Sequence, residues 1–291
     1  MSITVGGKYE IIKQIGEGMY GKIFLAKNKI TDEEVAIKID STILLKNEAR
    51  IYNLFVTSPG IPKMRAFGKE GEYNYMVIDK LGLSLDAVKD RCGGTLSLSK
   101  TIMIGLQLIK RLETIHEKHI IHRDIKPENF LLGDTDKTKD FIYAIDFGLS
   151  KLYSIQGKHV EMLHDRSPIG TLDFISLNVH KGFTPSRRDD MESIGYILLY
   201  LLTGNLPWIE NGEEENPNSH ANQTESVERK IYEKKISGML WNIDNNIPGE
   251  FITFIHYCRN LDYDETPNYT YLCNLLKNLF ALKKFSVESL V

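Results

Sequence analysis

A change of hydrophobic periodicity near residue 80 constrains the fold of this chain more than any other feature. Before it, short alternating and β-branched segments are separated by Gly, Asn and Asp turn signals, which predicts strands, and only 43–55 has helical spacing. The predicted strands are 9–15, 22–27, 34–39 and 73–78. Beyond residue 84, apolar residues recur every three or four positions, as they do in buried helices. The predicted helices are 101–116, 190–202 and 250–259.

The pattern therefore predicts an α+β protein with a small, β-rich unit over about 1–80 and a larger, mainly helical unit over about 85–283. A connecting segment at about 79–84 joins them, and a short C-terminal end follows at 284–291. One region differs from the rest, since 210–228 is rich in Glu and Asn and nearly free of large apolar residues. It is typical of a solvated surface insertion, and disorder fits its composition.

The charge balance gives no electrostatic reason to expect nucleic acid or a membrane surface as the main partner, since 36 basic residues stand against 39 acidic ones. The first residues have no apolar core of signal-peptide length, and no apolar run approaches the roughly 18 residues of a membrane span. The three cysteines, Cys92, Cys258 and Cys273, lack metal-ligand spacing. We therefore expect a soluble intracellular protein, cytoplasmic and/or nuclear and not secreted.

A glycine-rich turn, with Gly16, Glu17, Gly18 and Gly21, separates the first two predicted strands. Glycines let a backbone approach phosphate oxygens where a side chain would collide. The pattern alone also occurs in ordinary hairpins and in dinucleotide-binding folds. A dinucleotide fingerprint requires a helix after the last glycine, whereas a strand is predicted here, so this alternative is disfavoured.

Lys38 follows Val35, Ala36 and Ile37 near the end of the predicted strand 34–39, and Glu48 lies on the next predicted helix. Such a lysine is as often an edge residue whose ammonium group stays in water. Paired with a glutamate, it can instead hold a triphosphate during phosphoryl transfer.

The most specific segment is His122–Asn129, which Pro127 predicts to be a loop. Within it, Asp124 can accept the proton of an incoming hydroxyl, Lys126 can neutralise a migrating phosphoryl group, and Asn129 offers a neutral oxygen ligand for Mg²⁺. Asp146, in an Asp-Phe-Gly turn after the apolar segment 141–145, supplies a second oxygen ligand. A lone Asp-Phe-Gly is most often only a turn, but chance occurrence of all these features in this order is negligible. The set resembles that of protein kinases.

Further motifs resemble the casein kinase 1 family over roughly residues 6–283. The similar segments are 6–9, 60–62, 81–85, 186–196, 206–208 and 257–269, together with Ser176-Leu177-Asn178 in place of the Ala-Pro-Glu of most kinases. The resemblance implies the bilobal protein-kinase fold and a serine/threonine protein kinase that uses ATP and Mg²⁺ on protein substrates. It also implies activity without phosphorylation of the activation loop. We expect a monomer with neither nucleic-acid nor membrane partners.

Carried over residue by residue, the resemblance assigns catalytic roles to Asp124, Lys126, Lys38 and Glu48, and metal binding to Asn129 and Asp146. Asp190 is expected to brace the backbone of the catalytic loop, and Arg123, Lys151 and Arg166 to form an anion or substrate site. Taken singly, Lys151 and Arg166 are as well explained as ordinary surface residues. ATP contacts are implied at Ile15, Gly16, Glu17, Gly18, Gly21, Ile23, Ala36, Lys38, Ile78, Asp79, Leu81, Leu132 and Ile145.

Two departures from the family bear on substrate choice. Asp173 stands where the family has an arginine that helps to hold a substrate phosphate, and Glu210 is among the residues that replace the family's Gln-Gly. Exchanging attraction for repulsion beside a phosphate changes the interaction energy by about 1 kcal/mol or more even in a solvated site. We therefore hypothesise a shift from phosphate-primed or acidic substrates toward unprimed, less acidic or basic ones.

Two other functions remain as alternatives to an active protein kinase. A pseudokinase scaffold would be favoured by loss of Lys38, Asp124, Asn129 or Asp146, and all four are present. A small-molecule kinase is disfavoured by the serine/threonine type of the loop at 124–129 and by the motifs of the helical lobe.

Overall fold

The computed structural model describes residues 3–18, 21–209, 222–237 and 247–290, without the side chains of 222–226. The chain packs as two compact units: Met1–Ser84 with Asn129–Ser150, and Leu85–Glu128 with Lys151–Val291. Packing thus groups 129–150 with the first unit, whereas the division drawn from the sequence placed these residues in the second. The reason is local, because Leu132 exchanges main-chain hydrogen bonds of 2.8 Å with Gly82 and Leu83.

The first unit contains an antiparallel sheet of six strands in the order β1-β2-β3-β4-β6-β5. The strands are β1 Thr4–Val5, β2 Tyr9–Gly18, β3 Gly21–Asn28, β4 Glu34–Asp40, β5 Met64–Glu70 and β6 Tyr73–Asp79. β-Branched and aromatic residues in β2, β3, β4 and β6 favour this pleated conformation. The predicted strands are present, and β1 and β5 are additional.

The two faces of this sheet have different environments. Val35 and Ile37 in β4 lie on one face with the core cluster that also contains Tyr9, Ala26 and Val77. Because side chains alternate along a strand, Ala36 and Lys38 lie on the opposite face. Lys38 is opposite Ile23 of β3 and Met76 of β6, and Ala36 is opposite Leu25 and Ile78. Alternation therefore places Lys38 away from the cluster.

One helix, α1 Leu44–Tyr52, belongs to the first unit and continues as a 3-10 turn, Asn53–Phe55. Its buried residues, Leu45, Glu48, Ala49 and Tyr52, have the three- and four-residue spacing that predicted a helix here. Two short strands complete this unit, β8 Phe130–Leu132 and β9 Ile142–Ala144, and they pair with each other.

The second unit is mainly helical. Its helices are α2 Leu85–Arg91, α3 Leu98–His116, α4 Leu177–His180, α5 Arg187–Thr203, α6 Asn222–Ile236, α7 Gly249–Arg259 and α8 Tyr269–Leu282. Its strands are β7 Ile120–Ile121, β10 Lys151–Leu152, β11 Ser154–Ile155 and β12 Lys158–His159. α5 is buried along most of its length and packs against α3 and α7, while α3 also packs against α8. The predicted α+β class, with a β-rich lobe and a helical lobe, is confirmed.

Part of the region interpreted as a solvated insertion is a helix. Residues 210–221 of that region lie outside the described residues, but 222–228 form the first turns of α6, so disorder is wrong for them. The helix is held by its last turns, where Ile231 and Lys235 are buried. Both buried residues lie after residue 228, so the composition of 210–228 gave no indication of them.

Three further features matter below. Cys92 is exposed, Cys258 is buried in α7 and Cys273 is partly exposed in α8. α5 ends at Gly204, which has the left-handed backbone conformation that helix ends favour. Within the described ranges, no helix combines the length and the apolar character needed to cross a bilayer.

Candidate active site

Lys38, Glu48 and Asp146 form an ionic cluster within the first unit. The ammonium group of Lys38 donates to Glu48 Oε2 at 2.8 Å and to Asp146 Oδ1 at 2.9 Å. Glu48 is 2% exposed, Lys38 12% and Asp146 30%. The strand, the helix and the turn that were predicted separately therefore bring their charged groups together around one lysine.

Burial and charge act in opposite directions in this cluster. Burial raises the pKa of Glu48 to about 7, although Lys38 opposes this shift. Burial alone would lower the pKa of Lys38, but attraction to Glu48 and Asp146 raises it above its usual value. Lys38 is therefore a cation at neutral pH, and burial brings the pKa of Glu48 closer to that pH.

The Asp-Phe-Gly turn is held by the C-terminal half of α1 and the 3-10 turn that follows. The phenol oxygen of Tyr52 accepts a 3.4 Å hydrogen bond from the amide of Asp146. The buried ring of Phe147 packs edge-on against Tyr52 and stacks on Phe55, with centroids 5.0 and 5.2 Å apart. Asp146 has a φ of 61°, which is uncommon for a residue other than glycine and is often found at functional sites.

A main-chain hydrogen bond joins Asn129 to the residue that precedes this turn. Asn129 ends a 3-10 turn, Pro127–Asn129, and its carbonyl accepts a 2.9 Å hydrogen bond from Ile145. Carboxylate and amide oxygens suit Mg²⁺, which at phosphate-transfer sites takes few protein ligands and completes its shell with water and phosphate. The donors Asn129 and Asp146 therefore fit Mg²⁺.

The glycine-rich turn follows the predicted hairpin. Gly16 pairs with Ile23, Glu17 with Lys22, and Gly18 with Gly21. Gly21 has a φ of 112°, and a Cβ atom there would collide with the carbonyl oxygen of Ile39, so only glycine fits without strain. The backbone of the hairpin therefore requires glycine at position 21, whereas Gly16 and Gly18 have room for a Cβ atom.

The other residues implied for ATP binding also lie in the first unit. Ile23, Ala36 and Ile78 are on the same face of the sheet as Lys38, since Ile23 pairs with Lys38 and Ala36 with Ile78. Ile15 is 50% exposed and precedes Gly16 on β2. The carboxylate of Asp79 is bonded to Lys63 and Arg65. Leu81 precedes the segment that bonds to Leu132, and Ile145 precedes Asp146.

Asp124 and Lys126, in the second unit, hold a threonine hydroxyl between them. Thr171 Oγ1 donates to Asp124 Oδ1 at 2.8 Å and accepts from the Lys126 ammonium group at 3.1 Å. The amide of Thr171 also donates to Asp124 Oδ1 at 3.1 Å, and Lys126 lies 3.2 Å from Asp124 Oδ2. The arrangement can bind an aliphatic hydroxyl, accept its proton and place a positive charge beside its oxygen.

The backbone before Asp124 is fixed by Asp190 of α5. Its carboxylate accepts hydrogen bonds from the amides of His122 at 2.7 Å and Arg123 at 2.9 Å, and it lies 3.1 Å from His116 Nε2. Burial would raise the pKa of Asp190, but the hydrogen bonds from the side chain of His116 and the amide of His122 lower it below its usual value. His116 is completed by the Tyr269 hydroxyl, 2.7 Å from Nδ1. Asp190 therefore remains ionised and orients the loop.

The three basic residues of the predicted anion site are only partly brought together. β10 begins at Lys151 and pairs with β7, which ends two residues before Arg123. Arg166 is tied to Gly182 through its main-chain amide. A shared anion pocket formed by these three residues stays a prediction.

Sequence reasoning missed the roles of Thr171, Tyr52 and His116. Thr171 had no charge or spacing that linked it to Asp124, because the contact is made across 47 residues. A helix was predicted over 43–55, but Tyr52 was given no role in the site. Its position four residues after Glu48 could have indicated that it shares the helix face on which Lys38 and Asp146 meet Glu48.

The comparison with protein families agrees with this geometry. The family model described as a protein kinase domain matches residues 9–276, nearly the whole chain and both of its units. Such a domain uses ATP to phosphorylate proteins, typically with Mg²⁺. The chain belongs to the protein kinase family.

Proposed function

We propose that this protein is an active serine/threonine kinase of the casein kinase 1 type, which transfers the γ-phosphoryl group of Mg-ATP to protein hydroxyls. The observation that favours an aliphatic hydroxyl as phosphate acceptor is the hydroxyl of Thr171, which is bound by Asp124 and Lys126. It supports the proposal because the oxygen has the two contacts, 2.8 and 3.1 Å, that a serine or threonine nucleophile needs.

In the proposed reaction, each charged group has a distinct task. Asp124 accepts the proton of the substrate hydroxyl, and Lys126 stabilises negative charge on the transferred group. Lys38, held by Glu48, orients the phosphates of ATP, and the glycine-rich hairpin covers them. Asn129 and Asp146 would hold Mg²⁺, which would supply positive charge to neutralise the phosphates. Positioning and charge stabilisation of this kind account for most of the acceleration in phosphoryl transfer.

The test is transfer of label from γ-³²P-ATP to protein or peptide acceptors, followed by phosphoamino-acid analysis. Labelled phosphoserine and phosphothreonine are expected, with loss of label in Asp124→Asn, a variant that keeps the shape of the side chain. Label confined to phosphotyrosine would contradict the serine/threonine assignment. Nucleotide binding without any transfer by the wild-type protein would favour a pseudokinase scaffold.

We also propose that the substrate preference is shifted toward unprimed, less acidic or basic sequences. Asp173 supports this, because it places a carboxylate where the casein kinase 1 resemblance calls for an arginine. Burial raises the pKa of Asp173, and the charge of Lys235 opposes that shift. A negative charge here disfavours a substrate phosphate.

A degenerate peptide library, assayed with and without upstream phosphoserine, tests this preference. We expect no gain from upstream phosphoserine in the wild-type protein, and a gain of severalfold in Asp173→Arg. Strong enhancement of the wild-type reaction by upstream phosphoserine would overturn the proposal. Asp173→Asn serves as the matched control, since it removes the charge without reversing it.

A further inference from the structure

Lys235 is a lysine in the last turn of α6 whose side chain is 1% exposed. Its ammonium group donates to the carbonyl oxygens of Leu172 and Ile175, both at 2.8 Å, and lies 3.1 Å from His180 Nε2. These three acceptors match the three N–H donors of an ammonium group. No helix was predicted at this position and Lys235 was given no role, so its burial is a finding of the structure.

The surroundings of the ammonium group are mostly neutral. It lies 4.9 Å from the ring centroid of Tyr196 and 5.0 Å from that of Trp208. Among the residues that the structure describes, none forms an ion pair with Lys235. Burial lowers the pKa of Lys235 to about 7, an effect opposed by Glu192 and Asp173 and assisted by Arg259.

His180 completes this environment as a neutral acceptor. Burial and the charge of Lys235 lower the pKa of His180 to about 3. Its imidazole is therefore neutral, and Nε2 can accept a hydrogen bond from the ammonium group of Lys235. A neutral Lys235 would still have two N–H donors for the two carbonyls. The contact with the main chain is therefore retained in both protonation states of the lysine.

The segment that Lys235 holds leads directly to the hydroxyl site. Leu172 follows Thr171, whose amide and hydroxyl both bind Asp124. Between the two carbonyls bound by Lys235, the carbonyl of Asp173 accepts a 2.8 Å hydrogen bond from the indole of Trp208. Three of the four carbonyls from Leu172 to Ile175 are thus fixed by side chains from outside the segment.

We propose that Lys235 is a positioning residue for the protein substrate: by holding the carbonyls of Leu172 and Ile175, it keeps the segment from Thr171 to Ser176 in place beside Asp124. The inference rests on the proposed function, in which the substrate hydroxyl binds at Asp124, beside that segment. The proposal gives Lys235 no part in nucleotide binding, since the residues proposed to bind ATP all lie in the first unit.

Two substitutions and one control test this role. Lys235→Met keeps the length of the hydrocarbon stem without a donor, and Lys235→Gln keeps two N–H donors on a shorter stem. Lys230→Met, an exposed lysine on the same helix, is the control. Peptide and ATP are varied separately in steady-state assays, and hydrogen exchange is followed in the peptide that contains 171–176.

We expect Lys235→Met to lower kcat/KM for the peptide at least tenfold, with the KM for ATP changed less than twofold. Lys235→Gln should retain severalfold more activity than Lys235→Met, and exchange in 171–176 should rise in the order wild type, Gln, Met. Lys230→Met should match the wild type in all three measurements.

Three results would overturn the proposal: wild-type kcat/KM in Lys235→Met, equal losses toward peptide and ATP, or failure of both Lys235 variants to fold. The last would assign Lys235 to fold stability. If the wild-type protein transfers no phosphate, the proposed function fails, but exchange in 171–176 still reports whether Lys235 holds the segment.

Discussion

At the scale of single residues, the ionic cluster of the first unit combines a fully buried carboxylate with a partly exposed one. Glu48, on α1, is buried and contacts Lys38, whereas the side chain of Asp146 is exposed enough to contact a ligand as well. Both hold the same ammonium group. Replacing Lys38 therefore leaves a buried glutamate without its cation and also alters the surroundings of a proposed Mg²⁺ ligand.

We predict that Lys38→Met lowers kcat for phosphate transfer by about 100-fold or more, as expected when a group that stabilises transferred charge is removed. Glu48→Gln should have a smaller effect, because Lys38 keeps Asp146 as a partner. Lys27→Met in β3, where the lysine pairs with exposed Asp32, is the control and should retain activity. Equal activity of Lys38→Met and Lys27→Met in a radiolabel assay would refute the role.

A second residue, His116, predicts how stability depends on pH. Burial lowers its pKa below the ordinary value near 6.5, although Asp190 opposes this shift, so the folded protein keeps His116 neutral. The unfolded chain takes up a proton below pH 6.5, and the stability that neutral His116 contributes above that pH is lost as the pH falls. The loss is up to about 1.4 kcal/mol per pH unit.

The measurement is urea unfolding between pH 7.5 and 5. Wild-type protein should lose stability as the pH falls, and His116→Gln should have a shallower pH slope despite its lower overall stability. His256→Gln, at an exposed position on α7, should keep the wild-type slope. Parallel slopes in wild type and His116→Gln would show that folding does not lower the pKa of His116.

At the scale of secondary structure, α5 depends on the glycine at which it ends. Gly204 has a φ of 86°, and a Cβ atom there would lie 2.8 Å from the carbonyl oxygen of Gly94. Gly204→Ala is therefore expected to lower the free energy of unfolding by about 1–2 kcal/mol.

Gly249 offers a matched control, since it begins α7 and nothing lies within 4 Å of its added Cβ. Gly249→Ala should be neutral, or stabilising by about 0.4–1 kcal/mol, because it restricts the unfolded chain. Chemical denaturation of both variants checks the contrast. Similar losses at the two positions would mean that backbone conformation does not set the cost.

Most elements with a strong hydrophobic period could be predicted from the sequence, although α8 was missed despite its buried Leu272, Leu276 and Leu279 at three- and four-residue spacing. α1, α3, α5 and α7 were found within a few residues, although caps moved their ends: α3 begins at Leu98 because Ser97 accepts from the amide of Lys100. β5 was missed because an edge strand with Arg, Lys and Glu lacks a clear alternation. α6 was missed because its contacts come from the tertiary fold, above all at Lys235.

The site follows the same rule. The groups that carry charge stand in ordered motifs, so Lys38, Glu48, Asp124 and Asp146 could be named from the sequence. The neutral groups that position them could not, because the contacts of Tyr52 and Thr171 join distant parts of the chain. Spacing along a sequence does not encode such contacts.

At the scale of the whole molecule, the proposed tasks are divided between the two units. The residues proposed to bind Mg-ATP all lie in Met1–Ser84 or Asn129–Ser150, and those proposed to receive the hydroxyl lie in Leu85–Glu128 or Lys151–Val291. Nucleotide binding should therefore stabilise the first unit directly.

We predict that Mg-ATP at 100 times its Kd stabilises the protein by about 2.7 kcal/mol and raises the Tm by a few degrees. ATP with EDTA should give less than half of this shift. Asp146→Asn should reduce the dependence on Mg²⁺, whereas Asp136→Asn, in the loop between β8 and β9, should leave it unchanged. A thermal shift that is identical with Mg²⁺ and with EDTA would argue against metal binding by Asn129 and Asp146.

The three cysteines of the helical unit differ in burial, so the order in which they are alkylated reports on the opening of that unit. Exposed Cys92 should be alkylated first by a maleimide, and Cys273 more slowly, because burial raises the pKa of its thiol. Burial raises the pKa of Cys258 much further, and its helix packs against α5. The appearance of a third alkylated thiol in a mass spectrum would thus time the separation of these two helices without any added probe.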